Sequence, residues 1–569
     1  MPLVPIRLLL IQTLLIIVLT IAGSAQPPAE PTIAAAAARL QAQDPAGAAR
    51  ILEAVTAREP ANLRAWRLLG VAYQSGKELD KALAAYRKAL EIQPDAPQVL
   101  YNMGTAYALK QDAAAAFEWL GKAKATRKLD MTQIENDADL ASLRVDPRFR
   151  ALMPAPEDFA NPFVEPVKVI REWDGEAAND QFGWIARSAG DVDRDGVPDI
   201  VTSAPTKDIG GAAAGRVYVY STKSGALMWS ADGRPGDGLG SGIEAAGDTN
   251  RDGVPDVVAS APGAGKAYVY SGKDGRVLLT MTAEQAADGF GRHVSGVGDL
   301  NGDGYADVIV GAPANGAGGE GAGRAYVYSG KDGRLLLTLT GEAAHDAFGS
   351  AVAGSPGRQE SFLIVGAPGA GPRHAGRTYV YKGLTQKPAF VIDADETGAA
   401  LGAMFLSTVG DVNHDGVPDI YASDFSNAAK GPSTGRIYVH SGTDGRRLLT
   451  LTGETVGEGF GIGPAAAGDV DGDGYDDLIV GAWQYAGAAI SGGRAYLYSG
   501  KNGGLLKTYT CRTPGDAFGF DAVGLGDVDG DRTADFLLTS AWSGIHGYHS
   551  GRMFVISSGI PRQKTNPRR

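Results

Sequence analysis

The 569-residue chain is 44% apolar and 21% charged, the composition of folded domains, and it is too long for one ordinary domain. Its formal net charge of −12 argues against nucleic acid, whose phosphates it would repel, and points to cations as partners. The single cysteine, Cys511, excludes an internal disulfide framework, and 80 glycines without a collagen period point to a turn-rich β architecture.

Residues 1–25 read as an export signal: Arg7, an apolar run from Leu8 to Ile21, then Gly23, Ser24 and Ala25 ahead of an expected cleavage before Gln26. The same run is nearly long enough to span a bilayer, so an uncleaved anchor is the alternative; once the signal is removed, no membrane span is expected. The chain is therefore expected to be secreted, displayed at the cell surface or periplasmic. Residues 26–32 form a linker. Residues 33–152 are rich in Ala and Leu with helical periodicity. Within them Trp66, Leu69, Gly70, Tyr73, Ala82, Tyr86, Ala89 and Pro94 fall at spacings that resemble a tetratricopeptide (TPR) repeat. A second copy starts near Pro97 with Leu100, Met103, Gly104, Tyr107 and Ala116, and a weaker one precedes it with Ala48, Leu52 and Pro60. Such repeats offer a concave groove to a peptide or protein, or serve only as a spacer. Residues 131–152 are expected to cap the stack, and the proline-rich stretch 153–166 to be a semi-rigid linker.

From residue 167 to 560 one pattern recurs. An acidic cluster of the form D-x-[DN]-x-D-[GR]-x-x-D begins at Asp191, Asp248, Asp299, Asp411, Asp469 and Asp527, with separations of 57, 51, 112, 58 and 58 residues. The gap of 112 is two periods, and near residue 355 the flanking segments persist without the acids. Phe-Gly or Leu-Gly precedes each cluster, at Phe182, Leu239, Phe290, Phe348, Leu401, Phe460 and Phe518. Short β-branched runs such as "DVIVGAP" follow, then "GRAYVYSGKDG" and "RLLLTLTGE", which read as a hairpin. Each period thus supplies four short strands, a propeller blade, and seven periods make seven blades. The last period lacks its fourth strand, and Val167 to Trp173 is expected to supply it, closing the ring and removing a sheet edge.

In each acidic loop alternate side chains converge on one point, the glycine permits the reversal, the seventh residue offers its carbonyl and the ninth-position acid closes the shell. An all-oxygen, flexible cage of this kind suits Ca²⁺ better than Mg²⁺. The expected ligands are Asp191, Asp193, Asp195, Val197 and Asp199; Asp248, Asn250, Asp252, Val254 and Asp256; Asp299, Asn301, Asp303, Tyr305 and Asp307; Asp411, Asn413, Asp415, Val417 and Asp419; Asp469, Asp471, Asp473, Tyr475 and Asp477; and Asp527, Asp529, Asp531, Thr533 and Asp535. Plain Asx turns are the alternative for any one loop, but not for six of invariant spacing. Six Ca²⁺ ions would balance the formal charge of −12. Arg532 stands where the other five loops have glycine, so the last site is expected to be the weakest.

Phe-Gly, the acidic loop and Gly-Ala-Pro, as in "FGRHVSGVGDLNGDGYADVIVGAP", together resemble the FG-GAP repeat of the integrin α-subunit propeller and its bacterial relatives. The resemblance implies a seven-bladed propeller with calcium on one face and ligand contacts on the other. It departs from integrins in having six competent loops and nothing similar to the leg domains. The fold class expected is thus a helical TPR solenoid followed by an all-β propeller, with a basic tail over 561–569.

Trp483, Tyr485, Trp542, Ile545 and Tyr548, on loops after the second strands of the last two blades, are the candidate surface for a protein or glycan ligand; packing against the propeller body is the alternative. Catalysis has little support. "GPSTG" around Ser433 lies on a loop and not on a strand-to-helix elbow, "GAGGEG" at 316–321 has no helix behind it, and His546 and His549 are expected to be surface groups. The reading is a non-catalytic, calcium-stabilised adhesion or scaffold protein, with a propeller-based carbohydrate- or lipid-active hydrolase or lyase as the alternative.

Overall fold

A computed structural model of the chain describes residues 31–561 apart from Ala286 and residues 355–360. The expected export signal, most of the 26–32 linker, the tail beyond Pro561 and the acid-free turn of the fourth repeat lie outside the described residues. The chain divides into two compact units between Ala106 and Tyr107.

The first unit is helical: Ile33–Gln41, Pro45–Arg58, Leu63–Ser75, Leu79–Ile92 and most of Pro97–Leu109. Thr32, Asp44 and Asn62 cap the first three helices through side-chain oxygens that accept backbone N–H groups. Ala48, Leu52, Leu69, Ala72 and Ala85 form its core. Gly70 lies flat on Tyr86, where any Cβ would come within 2.2 Å of the ring, which explains why glycine and tyrosine occur together in this repeat.

The second unit contains seven four-stranded antiparallel sheets. Blade 3 shows the order: Val294–Gly298 innermost, then Asp307–Ala312, Arg324–Tyr328 and Leu335–Thr340 outermost. The second strands are buried at every position because sheets cover both of their faces. Between blades 2 and 3, for example, Val258 and Val269 meet Phe290, Val308 and Val310. Phe182, Phe348 and Phe518 each make a parallel bridge to the glycine that opens the third strand of the preceding blade, Gly551, Gly323 and Gly493. The Phe-Gly pair thus staples one blade to the next, the phenylalanine buried between the sheets and the glycine free of a Cβ. As expected, the ring closes through the N-terminal strand. Val169–Asp174 pairs antiparallel with Arg552–Ser557, beside Asp535–Ser540 and Ala522–Gly526.

Residues 153–166 are docked rather than free. Phe159 and Phe163 are buried; Phe163 bridges Cys511 and stacks edge-on against Phe518 and Phe554, each at 5.2 Å, and Glu165 accepts the Thr510 N–H at 2.7 Å. Four of its fourteen residues are proline, but two aromatic side chains give it enough apolar area to bind the blades. Just upstream, Asp130 lies against Gly515, and Thr132 leaves no room for a Cβ at Gly544.

Candidate metal loops and the opposite face

Strand order fixes the two ends of the propeller. The connections from first to second and from third to fourth strands share one end; those from second to third strands and the Phe-Gly crossings share the other. All six acidic loops are first-to-second connections and therefore lie at one end.

Each loop opens on a glycine with positive φ, such as Gly190 at 77° and Gly468 at 70°; in five of the six it forms a bulge that sets the glycine opposite the ninth-position acid, and in the other the Gly410 carbonyl accepts the Asp419 N–H at 2.7 Å. The sequence reading missed these residues, although each directly precedes the first Asp. In the first loop Asp191 accepts the N–H groups of Asp195 and Gly196, both at 3.0 Å, and Asp195 accepts that of Val197 at 3.0 Å. The backbone thus pre-sets the carboxylates before any ion arrives. The left-handed position six holds Gly196, Gly253, Gly304, Gly416 and Gly474 with φ between 76° and 91°, and Arg532 at 71°.

The closing acids Asp199, Asp256, Asp307, Asp419, Asp477 and Asp535 are fully buried. Burial pushes five of them up to about 6 and Asp419 to about 7. One oxygen of each accepts the amide of the second loop residue, for example Val192 at 2.8 Å. In five blades the other oxygen accepts an amide from the turn between third and fourth strands, as Asp307 does from Gly330 at 3.1 Å. The closing blade has no such turn, because its fourth strand comes from residues 169–174, and Asp535 Oδ1 is left buried without a partner.

Carboxylate oxygens of Asp191, Asp193 and Asp199, of Asp469, Asp471 and Asp477, and of Asp527, Asp529 and Asp535 lie within 4.8 Å of one another, a spacing that can hold a metal ion. The fifth-position acids Asp195, Asp473 and Asp531 stand outside these triads. In the other three loops the third position is an amide: Asn250 and Asn413 direct Nδ2 at the closing acid, at 3.4 and 3.3 Å, and must turn Oδ1 inward to bind a cation. The seventh residues Val197, Val254, Tyr305, Val417, Tyr475 and Thr533 are held by their N–H groups on the fifth-position acids, for example Tyr475 on Asp473 at 3.1 Å. Adjacent loops touch: Arg194 donates to the Asp252 carbonyl at 2.9 Å, and Asp476 accepts the Asp411 N–H at 2.9 Å.

The last loop differs in a second way. Lys168 Nζ lies 2.6 Å from both Asp529 and Asp531, so an incoming cation must displace an ammonium group. Lys168→Met is therefore expected to tighten calcium at this loop, read as a gain in affinity of the weakest site by calorimetry. Arg532→Gly removes a strained φ worth about 1 kcal/mol and is expected to raise Tm with or without calcium. A Lys168→Met protein with unchanged calcium binding would show that the lysine does not compete.

The closing acids also set a pH dependence. Their folded pKa values are raised above the unfolded value of about 3.9, so in metal-free protein the folded state keeps protons that the unfolded chain has released. Stability of metal-stripped protein is expected to fall as pH rises from about 4 to about 7, and with saturating calcium to rise over the same window, as the ion displaces those protons. Melting curves at both conditions check the sign.

At the opposite end the candidate ligand residues are all half-buried. Tyr485 lies beneath the Arg494 guanidinium, 3.8 Å from its ring centre. Trp483 and Trp542 stack edge to face at 4.5 Å, and Trp542 continues through His549 to Tyr548 in a stacked row, so His549 is half-buried in that row while His546 is exposed. The loop carrying Ile545 and Tyr548 lies under Thr132, on Gly544. Trp483 and Trp542 share one apolar cluster with residues that were not among the candidates: Trp184 and Phe520, 4.9 Å apart, and Met404, Phe405 and Phe425. They follow Phe-Gly or end a second strand, positions where the repeat pattern itself carries no aromatic.

Comparison with known proteins agrees with this geometry. The FG-GAP repeat family matches residues 182–220, 242–279 and 290–328, an FG-GAP-like repeat family matches 411–480, and a TPR repeat family matches 70–111. The chain carries FG-GAP repeats preceded by a TPR repeat. Its FG-GAP part is similar to integrin alpha-4 of Xenopus laevis, 26% identical over 250 residues, which are 40% of this chain and 23% of that protein. Integrin alpha-2 of Bos taurus is 33% identical over 167 residues (26% of this chain, 14% of the relative), and integrin alpha-7 of Homo sapiens 33% over 159 (25% and 13%). The chain thus spans less than a quarter of the length of each of these relatives. No helix among the described residues is long and apolar enough to cross a membrane.

Proposed function

We propose that this chain is an exported, calcium-binding FG-GAP propeller protein that binds protein or glycan without catalysis, with its TPR repeats as a second protein-binding module. The observation that carries the reading is the set of six loops of one spacing at one end of the ring, each closed by a fully buried carboxylate. Buried charge of this density calls for a counter-charge, and oxygen-only ligands on flexible loops favour Ca²⁺. Such sites fill at about 10⁻⁴ to 10⁻³ M, which matches an extracellular or periplasmic setting and the apolar N-terminal run. The end opposite the loops, with its half-buried aromatics, is the ligand face, and the helical groove takes a peptide.

The hydrolase or lyase reading has one observation in its favour, acids and a histidine at the propeller axis. Both acids, however, are bound to Arg187: Glu244 Oε2 lies 2.9 Å from its Nε, and Asp521 accepts from its Nη1. Burial holds both acids above the ordinary carboxylate range in spite of Arg187, but the one guanidinium occupies both carboxylates. Metal analysis of the purified chain, with melting in chelator and in calcium, tests the reading; no bound divalent ion and no shift overturns it. Turnover of a polysaccharide by the same preparation overturns the non-catalytic part.

A further inference from the structure

Where one blade meets the next, an arginine at the start of a third strand pairs with an acid on the Phe-Gly crossing that leads into its blade. Arg324 lies 2.8 Å from Glu284, which also accepts the Tyr326 hydroxyl at 2.7 Å, and Arg494 lies 2.9 Å from Glu454. Arg216 with Glu176, Arg377 with Glu342 and Arg436 with Asp395 repeat the arrangement. Two crossings carry arginine in place of the acid: Arg512 before the closing blade and Arg234 before blade 2.

At Arg512 the chain supplies a partner of its own. The Arg512 guanidinium donates to the Phe163 carbonyl, its N–H donates to the Pro162 carbonyl at 2.7 Å, and Arg552 donates to the Phe159 carbonyl at 3.0 Å, so the docked segment covers this interface. At Arg234 no segment does so. Lys266 stands there in the place of the strand-opening arginine, and neither the Arg234 guanidinium nor the Lys266 ammonium group has a hydrogen bond or ion pair among the described residues.

Between blades 1 and 2, at the end opposite the acidic loops, lies a cavity of about 230 Å³ whose wall contains Arg234, Lys266 and Tyr268 beside the aliphatic Leu239, Ala264 and Val277. A short loop opens it. Residues 262–265 join the second and third strands of blade 2, whereas the same connection runs over residues 205–215 in blade 1 and 313–323 in blade 3. Tyr268 is therefore half-buried, while its counterparts Tyr218, Tyr326, Tyr379, Tyr438 and Tyr496 are buried. Of the two acids in the wall, Asp232 is neutralised by Arg216 at 3.0 Å, and Asp237 accepts the Arg234 N–H at 2.9 Å, bracing its crossing as Asp346 does in another. Two unpaired cations thus face a single unneutralised carboxylate.

We propose that this cavity binds an acidic extended segment of a partner protein, a glutamate of which takes the position that Glu284 holds in the next interface, with its carboxylate on Lys266, Arg234 and the Tyr268 hydroxyl. The aliphatic wall suits the methylene stem of that side chain. The segment docked at Arg512 is the precedent within the chain for a peptide at a crossing that carries arginine. The proposal rests on the reading of this end as a ligand face and names the chemistry of the partner.

Calorimetry of the full chain at fixed free calcium, with acetyl-Ala-Ala-Glu-Ala-Ala-amide, its Gln counterpart and glutarate, tests it. The Glu peptide is expected to bind about tenfold more tightly than either of the others and to lose about tenfold in affinity in Arg234→Ala. Arg234→Glu, which supplies the acid found at the other interfaces, is expected to abolish binding while leaving Tm unchanged or raised, and Lys266→Arg to preserve binding. Gln peptide binding as tightly as Glu peptide overturns the role of the carboxylate, and glutarate binding as tightly overturns the peptide assignment. Glu peptide binding that survives Arg234→Glu overturns the cavity as the site while leaving a ligand face elsewhere at this end. No binding of the Glu peptide overturns the proposal and leaves the calcium loops, which metal analysis tests separately, untouched.

Discussion

Stripping divalent cations from the purified chain is expected to lower its melting temperature by more than any single side-chain substitution, because six loops lose their counter-ion together. At an ion concentration ten times the Kd, linkage stabilises each site by about 1.4 kcal/mol and six sites by about 8. That is of the order of the whole stability of an ordinary domain, and no disulfide substitutes for it, since Cys511 is the single cysteine. The loss should be cooperative around the ring, because Arg194 ties the first loop to the second and Asp476 ties the fifth acidic loop to its predecessor. Calcium is expected to restore the original Tm and magnesium to restore little of it, since Mg²⁺ accommodates this many protein ligands poorly. Asp477→Asn, which removes one closing acid, should abolish one site of six in calorimetry and leave the rest. Unchanged melting in chelator would refute the counter-ion role of all six loops.

Arg552→Met is expected to be the most damaging single change in the closing blade. Arg552 is 3% exposed; its Nε donates to Glu172 at 2.7 Å, its Nη1 donates to the Phe159 carbonyl at 3.0 Å, Asp174 lies 3.4 Å away, and its guanidinium lies over Phe554 at 4.5 Å. One buried cation therefore binds the N-terminal strand, the docked segment before it and the last strand of the ring. Its removal strands two acids against a buried surface, at a cost of about 3 kcal/mol. The equivalent Arg494 pairs with the half-exposed Glu454 at 2.9 Å within an uninterrupted blade, and Arg494→Met should cost about 1 kcal/mol or less. Adding Glu172→Gln and Asp174→Asn to Arg552→Met should recover part of the loss, since the stranded charges then disappear. Equal destabilisation by the two arginine substitutions would show that the closing strand needs no special clamp.

Repetition made most of this protein legible. Six acidic loops at a nearly constant period gave the blade, the count of seven and the end of the ring at which the acidic loops lie, and the missing fourth strand of the last repeat located its replacement near Val169. Helical spacing around Gly70 and Tyr86 did the same for the TPR part. These readings hold because a repeat copies its local physics, the left-handed glycine, the alternating strand and the buried phenylalanine, into adjacent residues where spacing displays it.

What the repeat does not copy stayed hidden until the chain closed on itself. Lys168 meets Asp529 and Asp531 across some 360 residues, Asp535 loses an amide partner because its blade has two ends, and Phe163 docks a stretch that composition marks as a linker. Arg187, Glu244 and Asp521 look like ordinary variation between repeats until neighbouring blades bring them together. Local sequence determined the blades and their acidic loops; only tertiary structure decided which charges remain unpaired, because pairing depends on distance in space between residues that the chain separates by hundreds of positions.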